Sequence, residues 1–479
     1  MSNKLTLSAS DRISSLLDEA SFVEVGAYVT ARNTDFNMQE NDTPKDGVIT
    51  GYGVINGKLV YVYSQDATVL GGSVLNGTIG EMHAKKITNL YDLAMKTGAP
   101  VIGLIESAGL RLQEATDALN AFGEVYLKQT LASGVIPQIT AIFGTCGGGA
   151  ALIPTLTDFT FMTAEGGKLF VNSPNALDGN YQAKLDTASA AYLSENSSLV
   201  DGVFEDDATT LANIRSLVDM LPDNNMEDAE SDCTDDLNRI IPNLDGFAKD
   251  ARAVLQNIAD NNVFVEVKKD YAKDMVLGLI KLNGATVGCV ANQAADGGEL
   301  LSTSGAYIAA DFVKFCDAFN IPVLTLVNAK GFVATVSNER TIADAAAKLT
   351  YAFADATVPK VTVVMGDAFG TAYTIMNSKA IGADMVYAWP CAKIGTMDPE
   401  MAVKIMYEKE IAEAADKVAF IAEKKKAYTE LQSSALAAAK RGYIDDIIEP
   451  DATRKRVIAA FDMLSTKNEE RPYKKHGAV

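Results

Sequence analysis

The sequence predicts an α/β protein of two related domains in tandem, each a mainly parallel sheet crossed by helices. Three observations predict it. Residues 47–73 read as strand, Asn-Gly turn, strand and Gly-Gly pair, and residues 274–301 repeat that order. The spacing between the copies is constant: Pro100 and Pro322, Pro137 and Pro359, Gly144 and Gly366, and Gly148 and Gly370 are each 222 residues apart. Apolar strands then alternate with helical runs in both halves, which requires crossover connections and parallel pairing. The expected boundaries are 1–236 and 237–479.

The elements follow in order. A capped amphipathic helix starts after Ser8 or Ser10. The Asn56-Gly57 and Asn283-Gly284 pairs mark tight hairpins, because both central positions of such a turn favour left-handed backbone. GEMHAKK, with His83, marks a helix start. The runs TGAPVIGLIES (97–107) and VIPQITAIFG (135–144) read as Pro-entered strands, matched by FNIPVLTLVNA (319–329) and TVPKVTVVMG (357–366). The domain ends also echo each other, at 201–221 and 441–464. Between the halves lies PDNNMEDAESDCTDD (222–236), acidic and without a basic residue, which reads as a linker or solvated loop.

Composition narrows the function. With 48% hydrophobic and 22% charged residues the chain can bury sizeable cores. A net charge of −20 argues against nucleic-acid or anionic-membrane partners, whose phosphates would be repelled. The five cysteines are scattered and form no CxxC pair, so no disulfide framework or zinc ribbon is expected. No run approaches the roughly 20 apolar residues of a membrane span, and the N-terminus lacks the apolar core of a signal peptide. A cytoplasmic protein without a metal site is the expectation. Only two histidines occur, His83 and His476. His476 lies in a charged tail that reads as solvated, and a structural role for His83 stands beside a catalytic one. Catalysis is expected to use a device other than imidazole.

In each half an apolar strand ends in a glycine turn leading into a helix: FGTCGGGAALIP (143–154) and MGDAFGTAYTIMNSK (365–379). At the 222-residue offset, Gly148-Gly149-Ala150 faces Gly370-Thr371-Ala372. A helix start offers free amides and the positive end of its dipole, and small residues let a ligand reach them. The natural guest is a developing oxyanion. A plain turn or a tight helix–strand contact is the competing reading of either turn alone. Neither GxxxxGK[ST] nor GxGxxG is present, so a nucleotide site is poorly supported.

Around these turns the chain resembles the carboxyltransferase (beta) subunits of biotin-dependent acyl-CoA carboxylases and the related alpha subunits of sodium-pumping acyl-CoA decarboxylases. The resemblance is carried by GEMHAKKI, DLAMKTGAPVIGL, LASGVIPQI and CGGGAALIPTLTDF in the first half. In the second it is carried by FVKFCDAFNIPVLTLV, AAKLTYAFADATVPKVTVV, SKAIGADMVYAWP and RGYIDDIIEP. It implies two tandem crotonase-fold (ββα superhelix) domains, acyl-CoA on the N-terminal side and biotin on the C-terminal side. It also implies a trimer of dimers in which the N-domain of one copy meets the C-domain of another. Mapped onto this chain, the amides of Gly148 and Gly149 hold the acyl thioester enolate, and those of Thr371 and Ala372 hold the biotin ureido oxygen. Thr374 falls where the family shapes its acyl pocket. Gly109 and Arg111 neighbour the CoA, although Arg111 reads equally as a surface ion pair. Biotin would arrive on a separate carrier protein, carboxylated by a biotin carboxylase subunit or received by a membrane decarboxylase subunit.

Several positions depart from the family pattern. Thr371 replaces a glycine, the family's Pro-Gly-Phe is Lys330-Gly331-Phe332, its following Pro-Gly is Ala334-Thr335, and an Arg-His-Gly run is Asp344-Ala345-Ala346. All lie on the expected biotin side, which leaves a scaffold subunit with a degenerate biotin pocket as a rival. The loop holding Asn76-Gly77 looks longer than usual. AMKT (94–97) is similar to a biotin-attachment sequence but sits in a helical run without the second methionine, so no biotin is expected on this chain.

Overall fold

A computed structural model describes residues 6–32, 43–69, 78–472 and 477–478. The Asn76-Gly77 loop and His476 lie outside them. The chain divides into two compact units, Met1–Ala229 and Glu230–Val479.

In the first unit, helix α1 (Ala9–Leu16) starts at Ser8, whose hydroxyl accepts from the Asp11 amide at 3.1 Å. Strand β1 (Val23–Val25) pairs antiparallel with β2 (Val48–Ile55), and β2 with β3 (Lys58–Gln65). The hairpin closes at Asn56 (φ 50°) and Gly57 (φ 84°), both left-handed as an Asn-Gly turn requires. Next come β4 (Thr78–Ile79), helix α2 (Glu81–Thr97), β5 (Val101–Ser107), β6 (Gly109–Leu110) and helix α3 (Ala115–Ala132). The unit continues through β7 (Gln138–Gly147), the short helix α4 (Leu152–Thr155), β8 (Phe159–Thr163), β9 (Lys168–Phe170) and β10 (Gly202–Phe204). The main sheet has the order β1-β2-β3-β5-β7-β8-β10, with β9 added beside the end of β7, while β4 and β6 form a parallel pair of their own. From β3 onward every pairing in the main sheet is parallel. The 17-residue α2 and 18-residue α3 supply the crossovers. Their buried faces, including Ile87, Leu90, Phe122 and Val125, close over Tyr63, Val101, Ile105 and Ile142 of the sheet. β5 carries almost no exposed residue, as a strand covered on both faces must.

The second unit repeats this plan strand for strand. β11 (Phe264–Val267), β12 (Met275–Leu282) and β13 (Ala285–Asn292) are antiparallel around Asn283 (φ 55°) and Gly284 (φ 82°). Then follow β14 (Leu300–Leu301), the helix Thr303–Ala318, β15 (Val323–Ala329), β16 (Gly331–Phe332), the helix Ile342–Asp355 and β17 (Lys360–Phe369). Beyond the helix Gly370–Ile375 lie β18 (Met385–Ala388), β19 (Lys393–Gly395) and β20 (Asp446–Ile447). The order β11-β12-β13-β15-β17-β18-β20, with β19 beside β17 and β14 beside β16, matches the first unit position by position.

One sequence expectation is refined. The acidic stretch 222–236 does join the two units and is largely exposed, but its backbone is docked at several points. Its first part packs back on unit one, where Asn225 donates to the Val135 carbonyl and Asn224 to the Gly98 carbonyl. Its second part packs on unit two, where Ser231 donates to the Gly284 carbonyl and Asp235 pairs with Arg239 at 2.8 Å. The division between units falls inside it. Most of its acidic side chains are exposed while its backbone is docked, which charge counting does not reveal.

Candidate active site

In the first unit the site is a backbone turn at the end of β7. Gly148 has φ 60°, and a Cβ placed there would meet no atom within 4 Å. Glycine is needed for its conformation, and the space beside it is open. A short helical turn runs over Gly148–Ala151 and continues into α4. The leading amides of such a turn have no intrahelical acceptor. The carbonyls, in contrast, are tied from outside. Tyr126 Oη of α3 donates to Gly149 O at 2.6 Å, Cys146 Sγ to Ala150 O at 3.3 Å, and Gln129 Nε2 to Ile153 O at 3.0 Å. Gly148 and Gly149 keep a half-exposed backbone, whereas Ala150 is buried. No charged side chain belongs to this turn.

Gly109 stands against the turn: its φ is 121° and a Cβ there would come within 3.0 Å of the Gly147 carbonyl oxygen. Arg111, two residues on, is 1% exposed and makes no surface ion pair. Its Nη1 reaches Asp46 Oδ1 at 2.6 Å and Glu114 Oε1 at 2.7 Å, and its Nη2 donates to Thr78 O at 3.0 Å. Both carboxylates are fully buried. Burial raises the Asp46 pKa, and Arg111 opposes that. A Cβ on Gly80 would overlap Arg111 Nη1 at 2.3 Å, so the glycine at the head of α2 makes room for the guanidinium. Arg111 thereby holds β4, β6 and the start of α2 together beneath Gly109. Its partners lie 65 and 3 residues away, and no local pattern announces a buried triad.

His83 belongs to the same cluster. Its Nδ1 lies 2.8 Å from the Asp46 carbonyl and its Nε2 3.1 Å from Gln65 Nε2, so Nδ1 donates and Nε2 accepts. Burial first, then the Arg111 charge, lowers its pKa to about 3. A buried, neutral, fully bonded imidazole is structural, and it leaves the described turns without a histidine base.

The second unit presents the counterpart. Gly370 (φ 62°) ends β17, and a Cβ there would sit 3.2 Å from Thr396 O. Thr371 is exposed, Ala372 is buried, and Thr374 Oγ1 donates back to Gly370 O at 3.3 Å. Gly331 occupies the position of Gly109, and the Val333 amide bonds Leu301 O at 2.9 Å just as the Arg111 amide bonds Ile79 O at 3.0 Å. Val333 thus replaces the buried guanidinium. Around the altered segment Lys330 pairs with Glu299 at 2.5 Å, and Asp344 pairs with Lys348 at 3.0 Å. An open groove of about 470 Å³ is lined there by Ala334, Thr335, Val336, Glu339 and Arg340.

The structure therefore brings Gly109, Gly148 and Gly149 together in one unit and Thr371, Ala372 and Thr374 together in the other, and it sets Arg111 behind the first turn. Sequence reasoning missed Tyr126, Cys146 and Gln129 as ties on that turn. The pair Phe122 and Tyr126, one helical turn apart, is the signal that marks the face of α3 turned toward it. Among the described residues no group of three His, Cys, Asp or Glu is placed to hold a metal ion. No helix there is long and apolar enough to cross a membrane.

Two units of one mainly parallel α/β plan, each with a glycine turn after its central strand, have the architecture of the carboxyltransferases of the crotonase-like fold. Residues 3–479 match the carboxyl transferase domain family, and the chain belongs to it. It is 41% identical to the methylmalonyl-CoA decarboxylase subunit alpha of Propionigenium modestum, over 100% of this chain and 93% of that protein. It is 42% identical to the propionyl-CoA carboxylase beta chain of Roseobacter denitrificans, over 99% and 93%. The crystal structure of the transcarboxylase 12S hexamer with hydrolysed methylmalonyl-coenzyme A superposes with a TM-score of 0.93 at 38% identity, covering 98% of this chain and 92% of that one. The chain is an acyl-CoA carboxyltransferase of the biotin-dependent class.

Proposed function

We propose that this chain moves a carboxyl group between biotin on a separate carrier protein and the α-carbon of a short acyl-CoA of the propionyl/methylmalonyl class. The observation that carries this reading is the duplicated turn, one open to a thioester and one to a ureido group. The amides of Gly148 and Gly149 receive the thioester oxygen as it gains enolate charge, and the amides of Thr371 and Ala372 receive the biotin ureido oxygen. Such donors cost no reorganisation as charge develops. Gly109 keeps the backbone beside the thioester low, Arg111 fixes Gly109 from behind, and Thr374 faces the acyl group. His83 is neutral and enclosed, so it supplies no base here. In the carboxylation direction the biotin ureido nitrogen would take the α-proton once its bond to the carboxyl group has broken, and the enolate would then attack the carbon dioxide released.

The relatives include both a carboxylase beta chain and a decarboxylase alpha subunit at nearly equal identity. Direction is therefore assigned to the partner, a biotin carboxylase subunit or a membrane decarboxylase subunit, and not to this chain. The hexameric assembly of transcarboxylase 12S supports a trimer of dimers for this chain, working in the cytoplasm.

Purified protein given free biotin and methylmalonyl-CoA should form propionyl-CoA at a biotin-dependent rate. Gly149→Pro, which removes one proposed donor, should lower that rate by about 10²-fold or more, the usual scale for one oxyanion donor, with the fold retained by circular dichroism. An unchanged rate would sink the assignment of this turn. Absence of any biotin-dependent turnover in the unaltered protein, with CoA binding intact, would favour a scaffold subunit.

A further inference from the structure

We infer that Tyr126 is a positioning residue for the acyl-thioester turn, an inference that rests on the reading of Gly148 and Gly149 as enolate-holding amides. The Tyr126 hydroxyl donates to the Gly149 carbonyl at 2.6 Å. That carbonyl belongs to the peptide joining Gly149 to Ala150. Two successive glycines, the first at φ 60°, give this stretch of backbone wide intrinsic freedom, and the Tyr126 hydroxyl adds to the bond that the Leu152 amide makes to the same carbonyl within the turn. In a helical turn the carbonyls point one way along the axis and the amides the other. Pinning the Gly149 carbonyl toward α3 fixes the 149–150 peptide, the one that follows the two donor amides, and so limits the backbone rotation at Gly149 through which the Gly149 amide could turn away; oxyanion stabilisation is sensitive to that geometry.

The tyrosine is itself held. Its ring lies 6.0 Å from that of Phe122, one turn earlier on α3. Burial, then the neighbouring Cys146, raises its pKa above the ordinary 10, so the hydroxyl stays protonated as a donor at working pH. A Cβ at residue 149 would stand 3.1 Å from Tyr126 Oη, so any larger residue there would press on the hydroxyl.

The duplication separates this role from a requirement of the fold. The position 222 residues after Tyr126 is Lys348. Lys348 pairs with Asp344 at 3.0 Å and lies 5.2 Å over the Tyr307 ring, and the second turn instead receives the Thr374 hydroxyl on its Gly370 carbonyl. The same architecture thus forms twice, and at the position matching Tyr126 the second copy has Lys348, which is engaged with Asp344 and Tyr307.

Tyr126→Phe removes the hydroxyl and keeps the ring. The expected result is a kcat for biotin-dependent methylmalonyl-CoA decarboxylation lowered about tenfold, with KM for the acyl-CoA changed less than about twofold and an unchanged melting temperature. A loss confined to KM, or an unchanged kcat, overturns the inference. Gly149→Ala supplies the second arm. It crowds the hydroxyl in the natural background, and in Tyr126→Phe the obstacle is gone. If Tyr126 acts through Gly149, the two losses do not multiply, and the double variant is about as active as the weaker single one. Multiplying losses would show independent roles and reject the coupling. The outcomes stay distinguishable from failure of the underlying reading. An active Gly149→Pro protein rejects the enolate site itself, whereas an inactive Gly149→Pro beside a fully active Tyr126→Phe rejects only the tyrosine.

Discussion

At position 371 a β-branched side chain stands where the other turn has Gly149. Thr371 keeps the amide but adds a methyl and a hydroxyl at the exposed edge of the turn, and β-branching fixes where they point. Thr371→Gly should therefore lower KM for free biotin about two- to fivefold with kcat little changed, because the donor is retained and only the approach is widened. The cost to stability should stay below about 1 kcal/mol, the scale of a glycine in a helical turn. Steady-state kinetics with biotin varied at fixed acyl-CoA checks this, and an unchanged or raised KM would show that the threonine does not obstruct. Single residues were unevenly legible in the sequence. Gly148 and Gly370 declared themselves as turn residues, because left-handed backbone after a strand calls for glycine. Arg111 did not: whether an arginine ends at a surface or between Asp46 and Glu114 depends on a short turn, Pro44–Gly47, 65 residues earlier. Tyr126 was legible only as part of a helix face with Phe122, and its bond was not, since its partner is a backbone atom.

Among the elements, the Asn-Gly hairpins and the Pro-entered strands were readable because their signals are local. The clamp at the start of each third parallel strand was not. In unit one the Asp158 carboxylate accepts from the Gln138 amide at 2.8 Å while the Asp158 amide donates to Gln138 O at 2.9 Å. In unit two Asp384 makes the same exchange with Lys360, at 2.8 and 2.9 Å, and adds an ion pair to Lys467 at 2.8 Å. Asp158 instead faces Asp201. Burial first, and Asp201 in addition, raises its pKa from 3.8 to about 7. A folded pKa above the unfolded value favours the protonated acid. The stability it contributes is present below pH 3.8 and is lost as pH rises through about 7. Asp158→Asn keeps an acceptor for the Gln138 amide and removes that loss. It should stabilise the protein at pH 8 by about 1 kcal/mol, discounted for the partly exposed edge of the residue, and by much less at pH 4. Denaturant melts at the two pH values decide it, and an equal effect at both would discard the titration argument. The docking of the acidic stretch 222–236 escaped a sequence reading for a related reason: composition reports what side chains do with water and nothing about where the backbone is docked.

For the whole molecule, the 222-residue repeat was the most informative feature of the sequence, since it fixed both the architecture and the equivalence of the two turns. It also frames the assembly. If each reaction centre uses the acyl turn of one copy and the biotin turn of another, two differently disabled chains should rescue each other. Gly149→Pro disables the acyl side, and Thr371→Pro removes a donor from the first turn of the helix Gly370–Ile375, where proline is tolerated. Each variant alone should be inactive. In a dimer of one chain of each kind related by two-fold symmetry, one centre inherits both lesions and the other inherits neither. Half of the randomly formed dimers are of this mixed kind, so co-expression should restore about a quarter of the natural activity. Mixing the two variants after separate purification should restore less, to the extent that subunits exchange slowly. The comparison requires purification through two different tags, so that mixed assemblies are isolated and their biotin-dependent turnover of methylmalonyl-CoA is measured directly. Recovery near that level places the cooperating turns on different copies. No recovery in tag-verified mixed assemblies would mean that both turns of a centre come from the same chain, and the trimer-of-dimers reading would lose its functional rationale.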